Sequence, residues 1–325
     1  MNLNVHLNQG LIDFLCGTSG RAKILRNTFV FKIIPMLNPD GVIAGQYRCS
    51  LAGCDLNRVW LQPSPCLHPT IHATKTLLKA LAAQREVALY CDLHGHSRKC
   101  NMFMYGCSPR TPSQALMERV WPYLLHKASP TFEYEDCTFR VEKSKEGSAR
   151  VVVFKEVPAT RSYTLEMSLG GGLFGAKDVA VIPQHFDVVD YVNLGQQLCL
   201  TILDMYDPGK VKLNSVLSEL SQLHPELKRK AEEWAQRPEG KSTQDAALAR
   251  KGAERHGAGI WQLPDAHPKD TSKVPTAVAV LKLEAGLPKV YKSMTGKAIK
   301  AKVSTGAKAV PKKKVKKVVK KAGYG

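Results

Sequence analysis

Two histidines stand two residues apart at the end of an apolar run, in the segment CDLHGHS at residues 91–97. The run at 87–93 predicts a buried strand that ends in a turn at Gly95, and His94 and His96 share one face if the strand continues. A histidine at the carboxyl end of a strand in an open α/β sheet lies where ligands bind, and histidine is the commonest metal ligand. Because His-x-His is a loose pattern, a hydrogen-bonded surface histidine is the alternative interpretation of His94.

Side chains that could bind a carboxylate follow the turn sequence NPDG at residues 38–41. A long loop is predicted at 35–57, and it places Arg48 and Arg58 ten residues apart. Guanidinium groups bind carboxylates through two parallel hydrogen bonds, so the pair is a candidate anion site. The alternative is two unrelated surface arginines.

A single glutamate, Glu166, interrupts the otherwise apolar run at 162–167. A buried carboxylate is costly unless it is paired or functional, and burial would raise its pKa toward that of a useful general base. A strand-end glutamate that faces water is an equally good interpretation of this pattern.

Short apolar runs alternate with helical periodicities between residues 10 and 207. Strands are predicted at 28–34, 87–93, 101–105, 150–154 and 162–167, and helices at 70–84, 113–126 and 186–205. This alternation is typical of an α/β sheet flanked by helices.

The composition changes beyond residue 208. Residues 209–236 predict an amphipathic helical extension interrupted at Pro225, and residues 237–285 an irregular linker. Residues 286–325 contain 13 lysines and no acidic residue, with too little apolar surface to order alone, which predicts a disordered Lys-rich tail. Residues 1–285 hold 34 basic and 28 acidic residues, so the net charge of +19 is mainly a property of the tail.

The cysteines and the N-terminus indicate the compartment. There are nine cysteines, an odd number, and no pair forms CxxC. The first ten residues lack the basic start and apolar stretch of a signal peptide, and no apolar run approaches the length of a membrane span. We therefore expect reduced thiols in a cytoplasmic protein without membrane contact.

Six motifs, taken in order, resemble the cytosolic carboxypeptidases of the M14 metallopeptidase clan. They are NPDGV at 38–42, YRCS at 47–50, DLNR at 55–58, LYCDLHGHSRK at 89–99, MFMYGC at 102–107 and SYTLEMS at 162–168. DLNR followed by a tryptophan and then LHPTI at 67–71 is similar to the neuronal-type branch. The resemblance covers residues 10–206. It implies a zinc-carboxypeptidase-like fold, with a mixed, mostly parallel sheet flanked by helices and residues 1–208 as part of the catalytic domain.

The resemblance implies a role for each matching residue. His94 resembles the third zinc ligand, and Glu166 the general base that deprotonates the zinc-bound water. Arg48 resembles the arginine that polarises the scissile carbonyl. Asn57 and Arg58 resemble the pair that clamps the terminal carboxylate of the substrate. One Zn²⁺ per site is implied as the cofactor.

The resemblance also implies a substrate class. The family prefers acidic C-terminal residues, notably the glutamates of tubulin tails, so a cation is expected in the side-chain pocket. Arg150, in GSARV at 147–151, is the candidate, because it lies shortly before the predicted strand of Glu166. Lys155 is the runner-up, and a strand-end surface arginine is the alternative.

One part of the family pattern is not found. The first two zinc ligands of the family come from a His-Pro-Gly-Glu segment a little over ten residues before a Gly-x-x-Asp-Phe-Leu helix, which is present here as GLIDFL at 10–15. The nearest candidate, His6 in HLNQ, abuts that helix and has Gln9 where a carboxylate is needed. We therefore expect His6 to lie within the helix and zinc to bind weakly to this chain.

Two functional hypotheses remain open from the sequence. The first is a zinc metallocarboxypeptidase that removes C-terminal glutamates from acidic tails such as those of tubulin, associated with microtubules or cilia. The second is an inactive fragment or pseudoenzyme that binds such tails without turnover. The Lys-rich tail adds a candidate contact with microtubules or nucleic acid, since blocks of like charge are typical of interaction tails.

Overall fold

The computed structural model of the chain describes residues 3–109, 111–157, 161–174, 182–207, 209–236 and 276–281. The helices are α1 (Leu3–Cys16), α2 (Gly20–Thr28), α3 (Pro39–Ile43), α4 (Pro69–Gln84), α5 (Met117–Ala128), α6 (Ala149–Glu156), α7 (Val188–Met205), α8 (Val211–Leu223) and α9 (Pro225–Ala235). The strands are β1 (Val30–Ile34), β2 (Val87–His96), β3 (Met102–Tyr105), β4 (Ser162–Ser168), β5 (Gly172–Phe174), β6 (Ile182–Gln184) and β7 (Thr276–Leu281).

Five strands form one mixed sheet in the order β1-β7-β2-β4-β3. The pairs β1–β7, β7–β2 and β2–β4 are parallel, and β3 is antiparallel to β4. Strands β5 and β6 form a separate antiparallel pair. The prediction of a mixed, mostly parallel sheet flanked by helices is confirmed.

The alternation of side chains along β2 divides the interior into two cores. Leu89, Cys91 and Leu93 point into the larger core, which contains apolar residues of α1, α5, α7 and α8. Tyr90 points into the smaller core, with residues of α4 and α6. Since burial on both faces is typical of parallel strands, β2 is apolar along most of its length. Its polar residues therefore need a specific explanation.

Several predicted elements have different limits or a different type. The strand predicted at 87–93 runs on through Gly95 to His96, without the expected turn. The run predicted as a strand at 150–154 forms helix α6 instead. Its first turn is closed by the Val152 amide, which donates to the Ser148 carbonyl at 3.0 Å. Residues 149–153 are all buried, so tertiary packing overrides the strand preference of three consecutive valines.

The C-terminal part also departs from its predicted organisation. The break at Pro225 is present, between α8 and α9. Leu213, Val216 and Leu220 of α8 are buried in the larger core, so this extension packs on the sheet-bearing part of the chain. Residues 276–281 form β7, whereas the sequence predicted an irregular linker throughout 237–285. The remainder of that segment and the tail at 286–325 lie outside the described residues.

The nine cysteines all lie in the part of the chain that the structure describes, and all are free thiols. Cys91, Cys107 and Cys199 are buried, and burial raises the pKa of the Cys107 thiol to about 11, which makes it unreactive at neutral pH. Across the described ranges, no helix has the length and apolar character needed to cross a membrane.

Glu86, immediately before β2, makes stability depend on pH. Burial raises its pKa to about 7, against the opposing charge of Arg161. A raised folded-state pKa means that its contribution to stability is fully present below about pH 4.5 and is lost as the pH rises through 7. We expect Glu86→Gln to be more stable than the parent at pH 8, by about 2 kcal/mol after discounting partial exposure. Urea denaturation at pH 5 and pH 8 measures this, and an equal difference at both values would contradict it.

Candidate active site

His94 and Glu166 are register partners on adjacent parallel strands. Each is near the carboxyl end of its strand, and partners in register point to the same face of the sheet. His94 is buried at 7% exposure, and Glu166 is half-buried within its strand. The two residues that the sequence predicted as metal ligand and general base therefore lie side by side, at the carboxyl ends of the parallel strands, where ligands of α/β proteins bind.

A buried carboxylate orients the His94 ring. The Nε2 atom lies 2.7 Å from Asp92 Oδ2, and Asp92 is only 2% exposed. Because a carboxylate accepts, Nε2 carries the proton in this arrangement. The Asn57 Nδ2 atom, 3.4 Å from Nε2, is then a close neighbour rather than a hydrogen-bond partner, since both groups are donors.

Asn57 and Arg58 are held by a short helical turn at Leu56–Arg58. The Asp55 carboxylate begins this turn by accepting from the Asn57 amide at 2.9 Å. The Asn57 side-chain oxygen accepts from the Ala149 amide at 2.8 Å, which ties the turn to the start of α6. Arg58 Nη1 donates to the Asn57 carbonyl at 2.8 Å. The predicted carboxylate clamp is thus attached to α6 and lies beside His94.

Arg48 joins this group through Asp55. Its Nε lies 2.9 Å from Asp55 Oδ2, and Arg58 Nη1 lies 3.9 Å from the same oxygen. The side chains of Arg48 and Arg58 remain 52% and 34% exposed. One carboxylate therefore positions two guanidinium groups that still face solvent, where an incoming anion could reach them.

Gly147 has no room for a side chain. A Cβ at this position would lie 2.5 Å from the Arg58 carbonyl oxygen, and the Gly147 carbonyl accepts from the Trp60 amide at 3.2 Å. The glycine therefore permits the close approach of two backbone segments that bring Arg58 beside α6.

Arg150 is a buried helical residue, not the strand-end surface residue considered from the sequence. It is 5% exposed, it donates to the Gly106 carbonyl, and its guanidinium lies 5.7 Å from the centre of the Tyr105 ring. Burial lowers its pKa, while Cys107, Tyr105 and Glu166 oppose that effect. Arg150 thus lies close enough to Glu166 for their charges to interact. The runner-up, Lys155, is more exposed and lies 3.7 Å from Glu146.

The described residues do not form a zinc site. No group of three or more His, Cys, Asp or Glu side chains with metal-binding geometry occurs among them, whereas a catalytic zinc needs three protein ligands and an open position. His6 lies within α1, as expected. The Nδ1 atom of His96 accepts from the Arg98 and Lys99 amides at 3.2 and 2.9 Å. Of the histidines considered as zinc ligands (His6, His94 and His96), only His94 is the register partner of Glu166.

Two carboxylates of the site were missed by sequence reasoning. Asp92 orients His94, and Asp55 positions both arginines. Each stands inside a motif already recognised, and Asp92 is two residues from His94, so that both lie on the same face of β2. This spacing is the signal that could have identified Asp92.

Comparisons with known proteins agree with this architecture. A model of the family described as zinc carboxypeptidase matches residues 5–181, more than half of the chain. The chain is 45% identical to mouse cytosolic carboxypeptidase 2 over 70% of its length, and 43% identical to bovine cytosolic carboxypeptidase 3 over 67%. It spans only about a quarter of the length of these relatives, 26% and 22% respectively.

Solved structures give the same fold. A metallo-carboxypeptidase from Burkholderia cenocepacia matches with a TM-score of 0.51 and 22% identity, covering 65% of this chain and 53% of the other. A metallo-carboxypeptidase from Pseudomonas aeruginosa, in complex with (2-guanidinoethylmercapto)succinic acid, matches with a TM-score of 0.50 and 22% identity, covering 62% and 53%.

The mixed sheet flanked by helices is the fold of the metallo-carboxypeptidases that the chain matches. The chain belongs to the zinc carboxypeptidase family, and the relatives named above are cytosolic carboxypeptidases.

Proposed function

We propose that the protein is a metallocarboxypeptidase that removes C-terminal glutamate residues from acidic protein tails such as those of tubulin. The observation that supports this most directly is the set of cationic and amide groups around the His94–Glu166 pair. Asn57 and Arg58 would hold the terminal carboxylate, because a guanidinium and a side-chain amide together can donate to both of its oxygens. Arg48 would face the developing negative charge at the scissile carbonyl.

Arg150 and Glu166 complete the proposed roles. Arg150 would pair with the glutamate side chain of the substrate, because a buried cation favours an anionic partner that replaces its lost hydration. Glu166 would accept a proton from the attacking water, a role that requires a carboxylate within hydrogen-bond reach of that water. The histidine–aspartate pair at 94 and 92 would hold a fixed ring orientation beside it.

A second candidate function is binding without turnover. The supporting observation is that the described residues supply no three-ligand metal group, while Arg48 and Arg58 lie beside Asp55 and remain partly exposed. Such a protein would bind acidic tails through the same side chains and leave them intact. Both candidates require recognition of a C-terminal carboxylate, so a binding measurement alone does not distinguish them.

The deciding experiment uses the full chain and a peptide of six glutamates. Binding is measured by fluorescence anisotropy for the free-acid peptide and for the same peptide with an amidated C-terminus. Release of free glutamate is measured in parallel, with and without added Zn²⁺. Tight binding of the free acid with glutamate release supports the enzyme, and tight binding without release supports the second candidate. Equal binding of the two peptides would overturn both.

Arg150 should determine the preference for an acidic side chain. We expect Arg150→Ala to weaken binding of a peptide ending in glutamate by about 1.5–3 kcal/mol, because it removes a charged hydrogen bond. Binding of a matched peptide ending in leucine should change far less. Arg150→Lys is the matched control, since it keeps the charge but not the planar donor geometry, and urea denaturation of both variants separates binding loss from unfolding. Equal losses for both peptides would exclude Arg150 as the side-chain reader and leave Lys155.

We also propose that the Lys-rich tail at residues 286–325 binds a polyanion, with microtubules favoured over nucleic acid and a cytoplasmic, microtubule- or cilium-associated location. Its 13 lysines without an acidic residue suit non-specific contact with a dense negative surface. We expect deletion after Ala285 to weaken microtubule co-sedimentation at low salt, and binding of the full chain to fall steeply as salt rises. Unchanged co-sedimentation with lost DNA binding would favour nucleic acid. No change in either would contradict a role in binding.

A further inference from the structure

The central part of the sheet is completed by a strand from far along the chain. Strand β7 lies between β1 and β2 and is parallel to both. Five residue pairs join it to β1 and six join it to β2. Between the end of α9 at Ala235 and the first residue of β7 there are 40 residues. Within the described sheet, β1 pairs with β7 alone.

Without β7, strands β1 and β2 would face each other across a gap. Neighbouring strands lie about 4.8 Å apart, so the gap would be about 9.6 Å wide, too wide for direct hydrogen bonds between them. Both facing rows of backbone N–H and C=O groups would then lack partners in the interior, which is costly. The gap between Val30–Ile34 and Val87–Leu93 is therefore a groove shaped for one extended strand.

The register of β7 is defined on both sides of this groove. Register pairs Ala277 with Phe31 and Leu89, and Ala279 with Ile33 and Cys91. These four partners belong to or pack on the larger core. Val278 pairs with Tyr90, a residue of the smaller core.

We propose that the groove between β1 and β2 is a strand-acceptor site, and that residues 276–281 of the same chain are its exchangeable occupant. The ligand class is an extended apolar segment, bound mainly by main-chain hydrogen bonds as in other β-strand additions. Because 40 residues separate α9 from β7, no short loop holds β7 in the groove. Its pairing with β1 and β2 holds it there. A peptide with the same sequence can therefore replace it.

Occupation of the groove also affects the candidate active site. Val280 pairs with Asp92, and Leu281 pairs with Leu93, directly before His94. The filled groove therefore supports one side of the segment that carries Asp92 and His94, while β4 supports the other. An empty groove would leave this segment hydrogen-bonded on one side only.

The test uses the full chain with a cleavage sequence for a site-specific protease inserted after Arg250. The folded protein is cut, and the same two pieces are also produced by co-expression. At about 0.5 M salt, where charge interactions of the tail are strongly screened, we expect the C-terminal piece to remain bound. A fluorescent peptide of residues 273–284 should then displace it. The matched control peptide carries Ala277→Pro and Ala279→Pro, which remove two main-chain donors.

Hydrogen exchange provides the second measurement, on the uncut chain. In Val278→Pro, we expect the amides of β1 to exchange faster by on the order of 100-fold, and the added 273–284 peptide to restore their protection. The amides shared by β3 and β4 serve as the internal reference, because neither strand touches β7. If Val278→Pro does not fold, the displacement measurement on the cut protein tests the proposal by itself. Loss of the C-terminal piece on cutting, or equal displacement by the proline peptide, would overturn the proposal.

Discussion

Zinc added to the purified 325-residue chain is expected to remain well below one tightly bound ion per chain after dialysis. A catalytic zinc needs three protein ligands, and the described residues contain no group of three that could hold a metal ion. His94 is the only ligand proposed from them. Metal-dependent peptidase activity of these 325 residues alone should be correspondingly negligible, so the proposed turnover requires zinc ligands that the described residues do not supply. Metal content measured by mass spectrometry and glutamate release from an acidic peptide provide the two readouts.

The matched variants are His94→Ala and His96→Ala. Neither should change the residual zinc content, because one weak ligand contributes little without the others. One zinc per chain that is lost in His94→Ala and kept in His96→Ala would contradict the prediction. It would require further ligands from residues outside the described ranges. Binding of acidic peptides is measured on the same preparations, so that absence of zinc is not confused with absence of a folded site.

Local pattern was sufficient for much of the sheet, and the reason is visible in β2 and β4. Both strands are buried on both faces, so their apolar runs at 87–93 and 162–167 stand out from the polar segments around them. The sequence pattern failed to predict secondary structure where tertiary contacts determine it. The valines at 151–153 have strand preference, yet they form a helix between the sheet and the 56–58 turn. The short run of β7 lies in a polar, proline-rich segment and gains its place only through pairing with two distant strands.

The candidate site could be predicted in type but not in geometry. Motifs identified His94, Glu166 and the arginines, because their chemistry is uncommon in or beside apolar runs. The pairing of His94 with Glu166 depends on strand register, which no local pattern determines. The burial of Arg150 follows from α6 being a helix, so an error in secondary structure became an error about exposure.

The crossing of α1 and α7 should tolerate added side-chain atoms poorly. These helices approach so closely that a Cβ on Gly10 would overlap the Val192 carbonyl oxygen, and one on Gly195 would overlap the Leu7 carbonyl oxygen. Both obstacles are backbone atoms, which cannot move aside as a flexible side chain can. We expect Gly10→Ala to lower the free energy of unfolding by about 3 kcal/mol or more, at the upper end for overpacking, even though alanine is the better helix former.

Two further variants make this prediction specific to the helix crossing. Gly20→Ala, at the exposed first residue of α2, meets nothing within 4 Å, so the free energy of unfolding should change by less than about 0.5 kcal/mol. Gly195→Ala should resemble Gly10→Ala, and the double variant should lose less than the sum, because the first substitution already separates the two helices. Urea denaturation measures all four proteins. A Gly10→Ala variant as stable as Gly20→Ala, or full additivity at the crossing, would mean that the two backbones do not touch there.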